Sequence, residues 1–283
     1  MHVQIIVVPY DTARRGWRSG SGPEHLLRAG LAAHLAGRGH TVAEVQVIEA
    51  DPEPPPAEIA TGFELMRRIA LMVRAAREAG RFPLVLSGNC NASVGVLSGL
   101  TPSRRALFWF DAHGDLNTPE TTSSGFLDGT GLATALGLCW HRLAAGIPGF
   151  QPVEPEATFL IGARDLDPAE LALLAGGAVT AVTAGRVSAE LPELLRRARL
   201  GEAVGHVHLD LDALDPARVG RANSLPVPDG LSVEQLIEAI AAIRARVPLG
   251  AAALASYAPE FDSDSRVCRA AFAAIDAILS GHG

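Results

Sequence analysis

The chain contains no lysine: all 24 of its basic residues are arginine. That absence excludes Schiff-base and pyridoxal-phosphate chemistry, and with them the phosphate-gripping lysine of a P-loop. Cysteine is scarce too, three residues with no CxxC pair, which fits a reducing cytoplasm rather than a disulfide framework. No apolar run approaches the roughly 18–20 residues of a membrane span. The short strand-like start leads straight into fold sequence, so neither a membrane partner nor an export signal is expected. No basic block relieves the net charge of −7, which disfavours a nucleic-acid partner. What remains is a chain of 283 residues, 48% hydrophobic, with enough apolar material for a sizeable core.

That apolar material alternates between two patterns. β-rich runs lie at 3–8, 42–48, 82–86, 106–110, 158–161, 178–182, 204–210 and 251–255. Several are continuous rather than alternating, as in strands buried on both faces of a parallel sheet. Helical stretches fill 23–36, 58–79, 132–140, 168–174, 189–199, 233–246 and 267–279. Pro23 behind Ser21, and Ser232 followed by Gln235, mark helix starts. The expected fold is α/β: a three-layer αβα arrangement with a mostly parallel sheet of about eight strands, one domain over 1–283. The proline-rich stretch 51–56 reads as a surface loop. In such sheets ligands bind beyond the carboxyl ends of the strands, which directs attention to the loops there.

Four of those loops are chemically loaded, two of them with metal donors. The run 106–110 ends in Asp111-Ala112-His113-Gly114-Asp115, three potential metal ligands at spacing two. The run 204–210 carries His206, His208, Asp210 and Asp212 at even positions, hence on one face, with Val207, Leu209 and Leu211 on the other. Two carboxylates at the end of a buried strand repel each other and lose hydration, so they need a cation or a proton between them. For Asp210 and Asp212 alone, a capped turn into Asp215-Pro216 is the alternative. Carboxylates with one imidazole suit Mn²⁺ or a similar divalent ion, and shared aspartates suit a binuclear site.

With these motifs in order, the sequence resembles the arginase–agmatinase (ureohydrolase) family over nearly its whole length. Ser87-Gly88-Asn89-Cys90 lies where that family has a Gly-Gly-Asp-His loop. Asp111/His113/Asp115 and Asp210/Asp212 with Asp215-Pro216 match its two aspartate motifs. The resemblance implies an arginase-like fold and two divalent cations, most simply Mn²⁺, held by Cys90, Asp111, His113, Asp115, Asp210 and Asp212. In that pattern Asp111 and Asp210 bridge, Cys90 and Asp115 complete one metal, and His113 and Asp212 the other. The segment from Asn117 to Gly125 is similar to the loop that holds the amino-acid end of arginine, which gives Asn117 and Ser124 the α-carboxylate. Asp167, with Glu170, matches the loop that recognises the α-amino group; for Asp167 a helix N-cap before Pro168 is the competing reading. A homotrimer or homohexamer is implied as well.

Three departures from the family pattern bear on the substrate. Cys90 replaces a metal-binding histidine, with a buried structural thiol as the alternative. The same replacement occurs in the family's N-hydroxyarginine hydrolase of D-cycloserine biosynthesis, to which the resemblance runs closest. A softer, negatively charged ligand there reduces the Lewis acidity of its metal. Ser256 stands where arginases place the glutamate that grips the guanidinium, with Glu260 four residues on as a possible substitute. Asp128 stands where they place a proton-shuttle histidine. His208 is either a replacement acid or base or a histidine orienting Asp210, and His206 is a core residue.

The function these features lead one to expect is a binuclear metal-dependent amidinohydrolase. A metal-bridging hydroxide would attack the guanidine carbon of arginine, N-hydroxyarginine or a related guanidino acid, with Asp115 handling the proton and Asp128 and His208 as further candidates for catalysis. The alternatives are hydrolysis of another C–N bond, in an amide or formimino compound, and a non-catalytic family member that binds an amino acid.

Overall fold

The computed structural model describes residues 1–51, 57–100 and 103–281, so most of the expected surface loop at 51–56 lies outside the described residues. The strands are β1 (His2–Val8), β2 (Tyr10–Asp11), β3 (Arg14–Arg15), β4 (Thr41–Val42), β5 (Gln46–Val47), β6 (Phe82–Ser87), β7 (Arg105–Phe110), β8 (Thr158–Ile161), β9 (Thr180–Val182), β10 (Val204–Asp210) and β11 (Leu249–Ala255). Apart from the small antiparallel pair β2–β3, they form one sheet in the order β4-β1-β6-β11-β10-β7-β8-β9, with β5 also on β1. Every pairing in that sheet is parallel.

The continuous apolar strands serve two cores at once. Val3, Ile5 and Val7 of β1, and Phe108 and Phe110 of β7, pack under the helices Leu31–Gly37, Val187–Arg197, Val233–Arg244 and Arg266–Leu279. The intervening residues, Ile6 and Val8 of β1 and Leu107 and Trp109 of β7, face the helices Glu58–Glu78 and Ala92–Gly99 on the opposite side. Sheet and two helical layers thus give the expected three-layer α/β architecture, with nine strands among the described residues rather than about eight.

The extra strand comes from the run 42–48, which is two short strands and not one. The Glu44 carbonyl between them accepts from the side chain of Gln4 at 2.6 Å, which takes the place of a ladder bond. The helix expected over 23–36 is broken into Gly22–Arg28 and Leu31–Gly37 by Gly30, whose φ of 94° no helix continues. Ser21 does not cap it; its hydroxyl donates to the Arg18 carbonyl instead. The stretch 132–140 is helical only over Gly131–Ala135, because Gly137 and Trp140 both adopt positive φ. By contrast, Ser232 and Gln235 form the expected capping box, a device worth about 1 kcal/mol. The helix Ala92–Gly99 and the pair β2–β3 had no counterpart in the periodicity. All eight residues of that helix are buried, so it carries no polar face to reveal its period.

The consequence for function lies in the middle of the sheet. β6, β11, β10 and β7 are consecutive neighbours, and their carboxyl ends carry, in that spatial order, Cys90, Ser256, Asp210 with Asp212, and Asp111 with His113 and Asp115. Residues far apart in sequence therefore converge on one rim.

Candidate metal centre

Asp111 leaves β7 with both carboxylate oxygens engaged. Oδ1 accepts from the His113 backbone N–H at 2.7 Å, and Oδ2 from Trp109 Nε1 at 3.1 Å. His113 Nδ1 lies 3.3 Å from Asp111 Oδ1 and 3.4 Å from Asp212 Oδ2. Asp212 is aimed by two donors, the Ala112 N–H at 3.2 Å and Asn223 Nδ2 at 3.0 Å, while its own N–H caps Asp210 Oδ1 at 2.8 Å. Among the described residues, donor atoms converge in two groups, each within 4.8 Å: Asp111, His113 and Asp212 in one, Cys90, Asp111 and His208 in the other. Asp111 belongs to both.

Cys90 comes from the loop between β6 and the helix Ala92–Gly99. Its thiol donates to Asp210 Oδ2 at 3.0 Å and lies 3.3 Å from Ser256 Oγ. The loop is held by Asp128, which accepts from the backbone N–H of Cys90 (3.0 Å), that of Asn91 (2.8 Å) and Asn89 Nδ2 (2.8 Å). Gly88 is obligatory there, because a Cβ would meet the Tyr10 carbonyl oxygen at 2.3 Å. Asp115 adopts φ 50°, and its Oδ2 is buried without a hydrogen-bond partner.

The electrostatics are those of crowded acids. Burial, compounded by Asp111, Asp128 and Asp210, pushes Asp115 well above the usual carboxylate range. Burial with Asp212 and Asp111 does the same to Asp210, and burial raises Asp212. Burial and the neighbouring Asp210 push the Cys90 thiol well up. Burial carries Asp128 to about 7 against its three hydrogen bonds. Asp111 is the exception: burial would raise it, but the hydrogen bond and charge of His113 outweigh burial and hold it low. For His113, burial opposes charge, yet Asp111 and Asp212 bring it up to about 9. Two like charges 4 Å apart repel by about 4 kcal/mol at an effective dielectric near 20, so such a cluster retains protons or takes cations.

Behind the acids a chain of polar atoms runs down one face of β10. His206 Nδ1 lies 3.4 Å from the Ala251 carbonyl and Nε2 3.0 Å from Ser93 Oγ, which in turn lies 2.8 Å from His208 Nδ1. Burial depresses His206 to about 4 and His208 to about 3, so both are neutral at pH 7. His206 is the expected core residue. The hydrogen bond of His208 goes to Ser93 and not to Asp210, and its Nε2 has no partner.

Above the acids opens a cleft of about 210 Å³ whose wall includes Cys90, His113, Asp115, Asp210, Asp212 and Ser256 at depth. It is smaller than the roughly 300–1,000 Å³ common for drug-sized ligands and suits a compact molecule. Asn117, Ser124, Asp165, Asp167 and Glu170 also line it. Asn117 Nδ2 donates to Asp167 Oδ2 at 2.8 Å. Glu170 accepts from the N–H groups of Leu116 (3.0 Å) and Asp167 (2.8 Å), the latter one arm of a capping box, so Asp167 starts a helix and also borders the cleft. Ser124 is exposed and accepts from the Phe126 N–H at 3.2 Å. Glu260 is exposed on the 3-10 turn Pro259–Phe261 and is not part of the wall, so it does not stand in for the missing glutamate at Ser256.

The sequence patterns did not single out Asn223, Ser93, Asn89 or Trp109. Asn223 follows the Asp215-Pro216 turn with no periodic signal, and Ser93 sits in the helix that periodicity missed.

Known proteins place this geometry. The sequence profile described as the Arginase family matches residues 1–281. The arginase of Bacillus subtilis (strain 168) is 31% identical over 252 residues, covering 82% of each chain. That of Brevibacillus brevis is 30% identical, covering 98% of this chain and 97% of its own. A crystal structure of the B. subtilis arginase superposes with a TM-score of 0.88 at 27% identity, over 99% of both chains.

Proposed function

The chain belongs to the arginase family, hydrolases of the C–N bonds of linear amidines, and on that premise we propose that its substrate is a guanidino α-amino acid, arginine or N-hydroxyarginine. The observation that carries the reading is the place of Asp111 in both converging donor groups, on neighbouring strand ends beneath a small cleft. Members of this family depend on two metals, and the residues here fit a pair of divalent cations. The acids are packed closely enough to be pushed far up, and two buried donor atoms, Asp115 Oδ2 and His208 Nε2, have no protein partner among the described residues.

Cys90, Asp111, His113, Asp115, Asp210 and Asp212 would hold the cations, with Mn²⁺ favoured by the excess of carboxylate. When bound, such a pair supplies Lewis acidity and a water of lowered pKa. Asp115, which lines the cleft, would take the proton of the attacking water. The water oxygen adds to the guanidine carbon, the bond to the chain nitrogen breaks, and the proton passes to that nitrogen, which leaves as the amine of ornithine. Asn117 and Ser124 receive the α-carboxylate, and Asp167, supported by Glu170, the α-amino group. The neutral Ser256 in place of a carboxylate favours the less basic guanidine of N-hydroxyarginine over arginine. The same neutrality supports a second reading, hydrolysis of an amide or formimino compound. The chain is taken to work in the cytoplasm as a homotrimer or homohexamer. Assay of the Mn²⁺-loaded protein should give ornithine faster from N-hydroxyarginine than from arginine; turnover of neutral amides alone would move the assignment to the second reading.

A further inference from the structure

We propose that His208 binds metal through Nε2, beside Cys90, so that the imidazole missing from the loop after β6 is supplied instead by strand β10. The inference rests on the metal-dependent reading above. The Ala251 carbonyl can only accept a hydrogen bond. His206 Nδ1, 3.4 Å away, therefore carries the proton, and Nε2 of that neutral ring offers a lone pair. Ser93 Oγ, 3.0 Å from this nitrogen, must donate its single proton to it. The same oxygen then faces His208 Nδ1 at 2.8 Å as an acceptor, so His208 is protonated at Nδ1 and bare at Nε2. The opposite relay would set a lone pair of His206 against the Ala251 oxygen.

That bare nitrogen is fully buried and has no partner among the described residues, although leaving such an atom unsatisfied costs about 1–3 kcal/mol. A ring nitrogen of His208 lies within 4.8 Å of Cys90 Sγ and of an Asp111 oxygen, and Nδ1 is already used by Ser93. The ring of Trp109, 3.8 Å from that of His208 between centroids, fixes its plane, while Trp109 Nε1 holds Asp111 at 3.1 Å. An imidazole whose far nitrogen donates to a fixed oxygen has its metal-binding tautomer set in advance. Coordination through Nε2 also removes His208 from acid–base work, because the lone pair is occupied. It adds a neutral ligand to a group otherwise made of anions.

The test uses the full chain, stripped of metal and loaded with Co²⁺, examined by X-ray absorption and by equilibrium dialysis. The expected result is two Co²⁺ per chain with two imidazoles per pair, from His113 and His208. His208→Ala should leave one imidazole per pair. Ser93→Ala, a milder change, should weaken one ion by about 10–100-fold, the loss typical when a ligand loses its hydrogen-bond partner, and spare the other. Two bound Co²⁺ with a single imidazole in the wild type would overturn the inference and leave the proposed function standing. No Co²⁺ bound at all would overturn both.

Discussion

The carboxylate of Asp128 accepts the backbone N–H of Cys90 at 3.0 Å, so a residue 38 positions away holds the loop that presents the thiol. The Asn91 N–H and the Asn89 amide bind the same carboxylate. Asp128→Ala leaves two buried N–H groups without an acceptor, at about 1–3 kcal/mol each. Chemical denaturation of the metal-free protein should register that loss, and an unchanged midpoint would mean the loop is held by other contacts.

Asn223, in the cleft wall, holds Asp212 through a 3.0 Å hydrogen bond. Asn223→Ala should weaken one of two Mn²⁺ ions by about 10–100-fold, the usual consequence of releasing a ligating carboxylate from its orienting partner. Calorimetric titration separates the two sites; equal weakening of both would contradict the assignment of Asp212 to one of them.

The metal-free protein loses stability as the pH rises through the titration of His113. His113 is raised to about 9 by Asp111 and Asp212 in spite of burial, against about 6.5 in an unfolded chain. Between those values the folded state binds more protons, so the contribution is complete below about pH 6.5 and is lost as the pH rises through about 9. The amount is about 3 kcal/mol at 1.36 kcal/mol per unit, shared with its aspartate partners. Thermal melts at pH 6.5 and 9 should show the loss in the wild type and a flatter profile in His113→Asn. A variant with the wild-type slope would assign it to other groups.

Asn117 is buried at the cleft wall, its amide set by Asp167 at 2.8 Å and Thr121 at 3.0 Å. If it receives the α-carboxylate, Asn117→Ala should cut kcat/KM for amino-acid substrates by about 10–100-fold, the worth of one hydrogen bond to a charged group. Agmatine, which lacks that carboxylate, should be turned over no worse than before. Equal losses on both substrates would count against this placement of the amino-acid end.

Much of the architecture was legible because parallel strands are apolar on both faces: the runs at 106–110, 158–161 and 204–210 end at the same residues in the structure as in the sequence. The aspartates were legible because each motif directly follows a strand, and the period of two put His206, His208 and Asp210 on one face, opposite Val207 and Leu209. Legibility failed where long-range packing decided. The buried helix Ala92–Gly99 has no polar face to betray it, so Ser93, and with it the relay between His206 and His208, could not be read. The motif position of Asp128 suggests a shuttle but not its hold on the Cys90 loop, which depends on a turn that no local pattern predicts. Glu260 is near Ser256 in sequence but points its turn to solvent, since the chain after β11 leaves the sheet.

The most direct test titrates Mn²⁺ into the metal-stripped protein and follows ornithine release from N-hydroxyarginine in the same samples. Activity is predicted to appear with the added metal and to level off at two equivalents per chain. Full turnover without metal, or none with two ions bound and no guanidino substrate consumed, would contradict it.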